Sequence, residues 1–399
     1  LPCRRTVHTG YKEATLLENV LVLGYSSRNI ACSATRAGYN VYAIDAFCDM
    51  DLKENTVDCQ SLLTDEDIDI KDIDRKTILK LIDNFDVYPD AIVLGSGFEE
   101  LDLSDQSCRI LNNSPDVMKK ASDKSSLAKE LESLGIPHPV SVNVDEAAEI
   151  GYPLMVKPKC AGGGRLNRVA YNEDDLNAIL EELPEVDPTL SSADIMVQEF
   201  LYGFPASVSL IADGSSAVPI AANEQLIGIP WLSGLPFAYC GNITPYRTPY
   251  TEQMYEISER IASEFGLVGS NGVDFLLTDS GPVVIEVNAR LQGSLDSVEM
   301  ATGLNLFDLH VKAFGGILPE NVPEIDQYAI RAVVYADNEI TVDSSFYEKM
   351  DGEPIADIPE GGYQALPDDP ITSVLATGKT REDVIEKVIN VTRKIRELH

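Results

Sequence analysis

The octapeptide Val283-Val-Ile-Glu-Val-Asn-Ala-Arg290 reads as an extended strand with one polar and one apolar face. Alternate side chains of a strand share a face. That groups Glu286, Asn288 and Arg290 on one side and sends Ile285, Val287 and Ala289 toward a core. A carboxylate, an amide oxygen and a guanidinium in a row are costly on a buried strand unless something charged binds them. Two oxygen ligands followed by an arginine suit a magnesium ion that carries phosphates. Such a strand needs a nucleotide site elsewhere in the chain.

The chain is long enough for that, since 399 residues exceed one simple core and point to two to four subdomains. A net charge of −34 with no basic block argues against nucleic acid or anionic membrane as partner. A nucleotide enzyme works within such a field if a few lysines and a metal are focused in a cleft. Seven cysteines without a C-x-x-C pair read as reduced cytosolic thiols, neither a disulfide scaffold nor a zinc site. No apolar run reaches the ~18 residues of a transmembrane helix. The start at Leu1 lacks an apolar signal segment and reads as a trimmed terminus. A cytoplasmic location is expected.

Taken in order, Val20–Leu23, a helix over 28–37 and Val41–Ile44 form a strand-helix-strand unit of the doubly wound kind. Its turn, Gly24-Tyr-Ser-Ser-Arg28, has one glycine where a dinucleotide site wants three, so a structural Rossmann-like domain is favoured over NAD binding. Ser26, Ser27 and Arg28 at a helix N-terminus are a candidate holder of a substrate carboxylate. Ala91–Leu94 with Gly95-Ser-Gly97 is a further strand and turn that ends this domain. A helix is predicted over 122–134, with Ser122 as N-cap and Leu127, Leu131 and Leu134 on its apolar face. Lys124 in its first turn opposes the helix dipole, which an anion docked there would explain.

Tyr152–Pro158 is a strand with Lys157 near its end, and Gly162-Gly-Gly164 follows before the returning strand Arg168–Ala170. That pattern is a flexible hairpin whose backbone N–H groups can close over phosphates, although mobile surface hairpins are common. Ile195–Leu201 is another strand; its end is either a nucleotide hinge or a core strand with a polar edge at Gln198-Glu199. The stretch 223–245, with Trp231 and little regular patterning, is expected to be a loop that receives the second substrate. Residues 251–265 are an amphipathic helix. Ser270–Leu277 and Val283–Arg290 then form a hairpin around Thr278–Gly281. Asp274 joins Glu286 and Asn288 on one face only if an odd-length loop or a bulge shifts the register. A three-residue loop, Thr278–Ser280 with Gly281 in a bulge, would do it. Strand-like Ala329–Ala336 and a helix over 381–397 capped by Thr380 close the chain, with no chemistry evident.

These pieces together resemble the ATP-grasp superfamily. They are Ser122-Asp-Lys124, Gly135-Ile-Pro137, Val156-Lys-Pro158, Gly162–Gly164, Val197-Gln-Glu-Phe-Leu201, Asp274 and Glu286-Val-Asn-Ala-Arg290. The tail is similar to that of biotin-carboxylase-like members, and the whole chain resembles the carboligases of archaea and methylotrophs related to biotin carboxylase. The resemblance implies an α/β and α+β multidomain fold. A terminal extension (1–18) would precede a Rossmann-like domain (19–114), an ATP-grasp domain (115–325, lid about 140–200) and a small αβ C-terminal appendage (326–399). It implies that Lys124 and Lys157 bind ATP phosphates, that Gly162, Gly163 and Gly164 form the lid, and that the main chain of Gln198, Glu199, Phe200 and Leu201 reads adenine. Asp274, Glu286 and Asn288 would hold Mg2+, or Mn2+ in its place, with Arg290 and Lys157 at the transferring phosphoryl. One departure concerns the ribose: Gly203-Phe-Pro-Ala206 offers no acid after the hinge, which leaves Glu199 or Glu224 for that contact.

The function expected from the resemblance is a ligase that uses ATP to activate a carboxylate as an acyl-phosphate and joins it to an amine. The alternatives are a carboxyphosphate-forming carboxylase subunit, although no M-K-M biotinyl motif occurs, and a non-catalytic nucleotide-binding regulatory protein. Small-molecule substrates and a homodimer are the expected partners.

Overall fold

The computed structural model describes residues 17–63, 73–99, 101–160 and 162–398. The start of the chain, with the expected terminal extension up to residue 16, lies outside them. Five parallel strands open the fold: β1 (Asn19–Gly24), β2 (Asn40–Asp45), β3 (Asp58–Ser61), β4 (Ala91–Leu94) and β5 (Arg109–Ile110), in the order β3-β2-β1-β4-β5. The helix Arg28–Arg36 packs on one face through Ile30, Ala31 and Ala34. The helix Arg75–Asp83 covers the other through Ile78, Leu81 and Ile82. A parallel sheet buried on both faces needs continuous apolar runs, which Val20–Leu23 and Ala91–Leu94 supply. The strand order reverses between β1 and β4, and the crevice at such a switch point is where α/β sheets hold ligands. The turns after both strands meet there, with the Tyr25 N–H donating to the Ser96 carbonyl at 2.9 Å.

Two helices follow, Pro115–Ser122 and Lys124–Ser133. The helix expected over 122–134 with Ser122 as cap thus begins at Lys124 with Asp123 as cap, and Ser122 ends a separate helix before it. The Asp123 carboxylate reaches the Ser126 N–H at 2.7 Å and caps the second helix, while the Ser122 hydroxyl turns back to the Lys119 carbonyl. Leu127 and Leu131 enter the core as their spacing requires.

An antiparallel sheet comes next: β6 (Ser141–Asn143), β7 (Leu154–Pro158), β8 (Arg168–Ala170) and β9 (Ile195–Glu199), in the order β6-β9-β7-β8. The helix Glu173–Val186 covers it through Leu176, Ile179 and Leu183.

The remaining strands are β10 (Phe204–Asp213), β11 (Ala217–Ile227), β12 (Tyr239–Thr244), β13 (Val268–Thr278), β14 (Gly281–Asn288), β15 (Tyr328–Tyr335), β16 (Ile340–Thr341), β17 (Ile355–Ala356), β18 (Gln364–Ala365) and β19 (Pro370–Gly378). All but the β16–β18 pair join one eight-stranded sheet ordered β14-β13-β10-β11-β12-β15-β19-β17. Two readings of the sequence change here. Much of 223–245 is strand, and only the segment between β11 and β12 is loop. The C-terminal segment hydrogen-bonds directly onto β12 through β15 and makes no separate large sheet. The helix Thr251–Phe265 packs on this sheet, and Arg381–Arg396, capped by Thr380, packs on its C-terminal end. Among the described residues no helix is long and apolar enough to cross a membrane.

Candidate functional site

β13 and β14 form the floor of a cavity of about 890 Å³. Their loop has two residues, Asp279 and Ser280, because Thr278 pairs with Gly281. Left alone, that register would set Asp274 opposite Ile285. Instead Phe275 pairs with Val284 and Asp274 with Glu286, so Ile285 is the extra residue of a bulge. The expected register shift is present, but it is made at Ile285 and not by a three-residue loop. Ile285 consequently faces the cavity wall, not the core; Val287 and Ala289 are buried as expected.

The bulge puts two carboxylates face to face. The Asn288 amide donates to Asp274 Oδ2 at 3.2 Å, which leaves its own carbonyl oxygen as the third oxygen donor on that face. Burial, and then the Glu286 charge, push the Asp274 carboxyl well above the usual carboxylate range. An anionic pair crowded in this way, with an amide oxygen beside it, fits a hard divalent cation such as Mg2+. Among the described residues no cluster of three or more His, Cys, Asp or Glu side chains could hold a metal. The donor set here is two carboxylates and an amide.

Two lysines converge on the pair. The Lys124 ammonium, at the first position of its helix, lies 3.9 Å from Glu286 Oε1 and is buried. Lys157, 4% exposed near the end of β7, donates to Gln198 Oε1 at 2.8 Å. Burial, reinforced by the Lys124 charge and opposed by Glu286, lowers its ammonium to about 7. Arg290 lies just past the end of β14. Its Nε donates to Glu99 Oε1 at 2.6 Å, and Nη1 donates to the Leu291 carbonyl at 3.1 Å.

The glycine run closes the cavity from above. The Tyr239 N–H donates to the Gly163 carbonyl at 3.0 Å. Gly164 has φ +73°, and a Cβ there would sit 1.9 Å from the Phe237 carbonyl oxygen. Only glycine permits that approach. The hairpin expected to be flexible is thus docked on the segment that leads into β12.

Gln198, Glu199, Phe200 and Leu201 line the side wall. The Gln198 amide is committed to Lys157 and, through Nε2, to Ser141 Oγ at 2.8 Å. The Glu199 and Phe200 N–H groups donate to the carbonyls of Val140 and Pro153. Glu224 is held by Arg381 through two contacts of 2.6 Å, which leaves Glu199 as the acid of the two that faces the cavity. Ser27 and Arg28 do not form an open carboxylate site. Ser27 is buried on Asp45, and Arg28 is saturated by Asp296 and Asp357.

Sequence reasoning missed Tyr25, Ser96, Gln292 and Ser294 in the cavity wall, whereas Tyr239, also in that wall, lies in the stretch 223–245 expected to receive the second substrate. Continuing the β14 pattern would have reached Gln292 and Ser294, two and four residues beyond Arg290. The Gln292 amide packs where a Cβ on Gly272 would be, 1.3 Å from its Nε2, so these two residues are sized for each other. The histidines within the described residues are engaged elsewhere: His138 on the Ile136 carbonyl, His310 between the Ser270 N–H and the Leu111 carbonyl.

Residues 121–294 match the model of an ATP-grasp domain. The chain is 25% identical over 383 residues to an uncharacterised protein of Methanocaldococcus jannaschii, covering 93% of this chain and 90% of that one. It is 28% identical over 221 residues to the carbamoyl phosphate synthase large chain of Pyrococcus furiosus, covering 53% of this chain but only 20% of the larger protein. In fold it is similar to the biotin carboxylase domain of Hydrogenobacter thermophilus 2-oxoglutarate carboxylase, a dimer in complex with MgADP, ADP and bicarbonate. That match has a TM-score of 0.72 at 17% identity over 93% of this chain and 88% of that one.

Proposed function

We propose that the chain, whose residues 121–294 match the model of an ATP-grasp domain, is an ATP- and magnesium-dependent ligase that activates a carboxylate as an acyl-phosphate and joins it to an amine. The observation that carries this reading is the facing pair Asp274 and Glu286, with Asn288 beside it and the Lys124 ammonium 3.9 Å from Glu286. Asp274, Glu286 and Asn288 would hold the magnesium, which when bound neutralises polyphosphate charge. Lys124 and Lys157 supply the positive charge that a transferring phosphoryl group requires, and the Gly162–Gly164 run offers backbone N–H groups above it. Leu201 and its neighbours form the wall for the base. Arg290, oriented by Glu99, faces the same space and stabilises the acyl-phosphate oxygens. Phosphoryl transfer needs positioning and charge neutralisation more than a side-chain nucleophile. The carboxylate attacks the γ-phosphorus, ADP leaves, and the amine then displaces phosphate.

The test is an ADP-release screen across amino acids, small amines and bicarbonate, with the Glu286→Gln variant as control. Release that depends on a carboxylate and an amine together, and is lost in the variant, supports the reading. Substrate-dependent release at the wild-type rate in the variant overturns it. A second reading, a carboxyphosphate-forming subunit, draws on the bicarbonate in the similar biotin carboxylase domain. It expects bicarbonate alone to stimulate ADP release.

A further inference from the structure

Six cysteines lie among the described residues, and one pair of them stands apart. Cys48 Sγ and Cys59 Sγ are 2.9 Å apart. Each sulfur is presented by ordered backbone. Cys48 sits in the turn after β2 with φ +48°, a left-handed conformation uncommon for a side-chain-bearing residue. Asp45 pins that turn, its Oδ1 accepting from the N–H groups of Phe47 at 2.8 Å and Cys48 at 2.9 Å. Cys59 lies on the edge strand β3, paired in register with Ala43 of β2. A disulfide has its sulfurs about 2.05 Å apart, so closing the bond takes less than about 1 Å of movement. Cys48 Sγ also lies 3.7 Å from the Asp45 carbonyl oxygen, further than from Cys59 Sγ.

We propose that Cys48 and Cys59 form a reversible intramolecular disulfide by exchange with a small disulfide oxidant. Cys59 is half-buried and Cys48 only 4% exposed, so the order of events follows from access. The Cys59 thiol gives its proton to solvent and attacks one sulfur of the reagent, expelling one thiolate and leaving a mixed disulfide on Cys59. The Cys48 thiol then loses its proton and attacks Cys59 Sγ, expelling the second thiolate. Two protein thiols are oxidised, and one reagent disulfide is reduced to two thiols. Contact with Cys48 and burial push the Cys59 thiol up, so little thiolate is present at neutral pH and the reagent is supplied in excess.

The bond would staple β3 to the turn after β2 around the helix Met50–Asn55. That helix carries Asp51, which accepts from the N–H groups of Asp357 and Ile358, and the Met50 N–H donates to the Ile358 carbonyl. The staple therefore stiffens the platform on which the C-terminal segment docks.

The full chain is incubated with excess oxidised glutathione, desalted and studied by intact mass and tryptic mapping. Lys53 lies between the two cysteines, so cleavage there separates them unless the disulfide joins the peptides. The expected result is loss of two hydrogen atoms with no retained glutathione, a joined peptide pair, and a thermal midpoint raised by several degrees and restored by dithiothreitol. In Cys48→Ser, Cys59 keeps a glutathione adduct; in Cys59→Ser, Cys48 stays a thiol. A wild-type chain that keeps both thiols, or that holds glutathione on Cys59 without resolution, overturns the proposal. So does pairing of Cys59 with a different cysteine.

Discussion

Asp274 and Glu286 face each other across the β13–β14 hairpin only because Ile285 bulges out of register. Burial and mutual repulsion raise Asp274, so without a divalent cation the folded chain holds a proton there that the unfolded chain releases. A raised folded value contributes stability that is full below the unfolded value near 4 and lost as pH rises toward neutrality. In chelator, stability to urea is expected to fall between about pH 4 and about pH 7, and Asp274→Asn is expected to flatten that fall. Magnesium should flatten it too in the wild type. For Glu286→Gln, substrate-dependent ADP release is expected to drop by about 100-fold or more. A pH-independent urea midpoint in wild-type apoprotein would count against the pair.

Much of the floor was legible in the sequence because β-strand periodicity is strict. Glu286, Asn288 and a register shift follow from alternation alone. The place of the shift does not, since a bulge at Ile285 and a three-residue loop satisfy the same pattern. The Lys124 helix start was misplaced by one residue because Ser122 and Asp123 are both good caps, and only tertiary packing chooses between them. Tyr25 and Ser96 were missed for another reason. Each reaches the cavity from a turn of the first sheet, far in sequence from the strands that form the floor, and local pattern carries no such information. Arg28 shows the converse: a helix N-terminus that looked open to a ligand is filled by acids from 268 and 329 residues away.

Lys157 gives a protonic signature of phosphate binding. Its ammonium is lowered to about 7, chiefly by burial, so at pH 8 most apoprotein carries it neutral. Polyphosphate beside it restores the charge. Calorimetry of ADP binding at pH 8 in buffers of different ionisation enthalpy is expected to show net proton uptake, and Lys157→Met is expected to abolish it. Binding without uptake in the wild type would place the phosphates away from Lys157.

Glu99 holds Arg290 at 2.6 Å and accepts from the Gly97 N–H at 2.8 Å, so the turn after β4 sets where the guanidinium points. Glu99 touches no reacting atom in the proposed reaction and acts as a positioning residue. Glu99→Gln is expected to lower kcat by roughly 10-fold or more while the KM for ATP changes little, because a misplaced group costs the transition state most. Glu99→Asp should recover part of the loss. An equal rise in the KM for ATP would point instead to a damaged nucleotide site.

The three parts of the chain meet at a ring of four charges, of which Arg28 and Asp296 are buried and Arg331 and Asp357 partly so. Arg28, from the first sheet, binds Asp296 through two contacts of 3.0 and 2.8 Å and Asp357 at 2.8 Å. Asp357, from the C-terminal segment, also accepts from Arg331 Nη2 at 2.8 Å, and Arg331 Nε lies 3.6 Å from Asp296. Burial works against the Asp357 charge, but the two guanidinium groups outweigh it and hold the carboxyl far below the usual range. A depressed folded value gives stability that is present above the unfolded value near 4 and lost only as pH falls below it. Asp357→Asn leaves two guanidinium groups sharing Asp296, and removing one partner of a buried pair costs about 3–5 kcal/mol. The variant is expected to unfold at clearly lower urea at pH 7, with the gap narrowing in acid. Adding Arg28→Met should recover part of the loss, because one of the two cations sharing Asp296 leaves with it. Strictly additive destabilisation in that cycle would mean that the ring does not act as a unit, and that the junction is held by apolar packing alone.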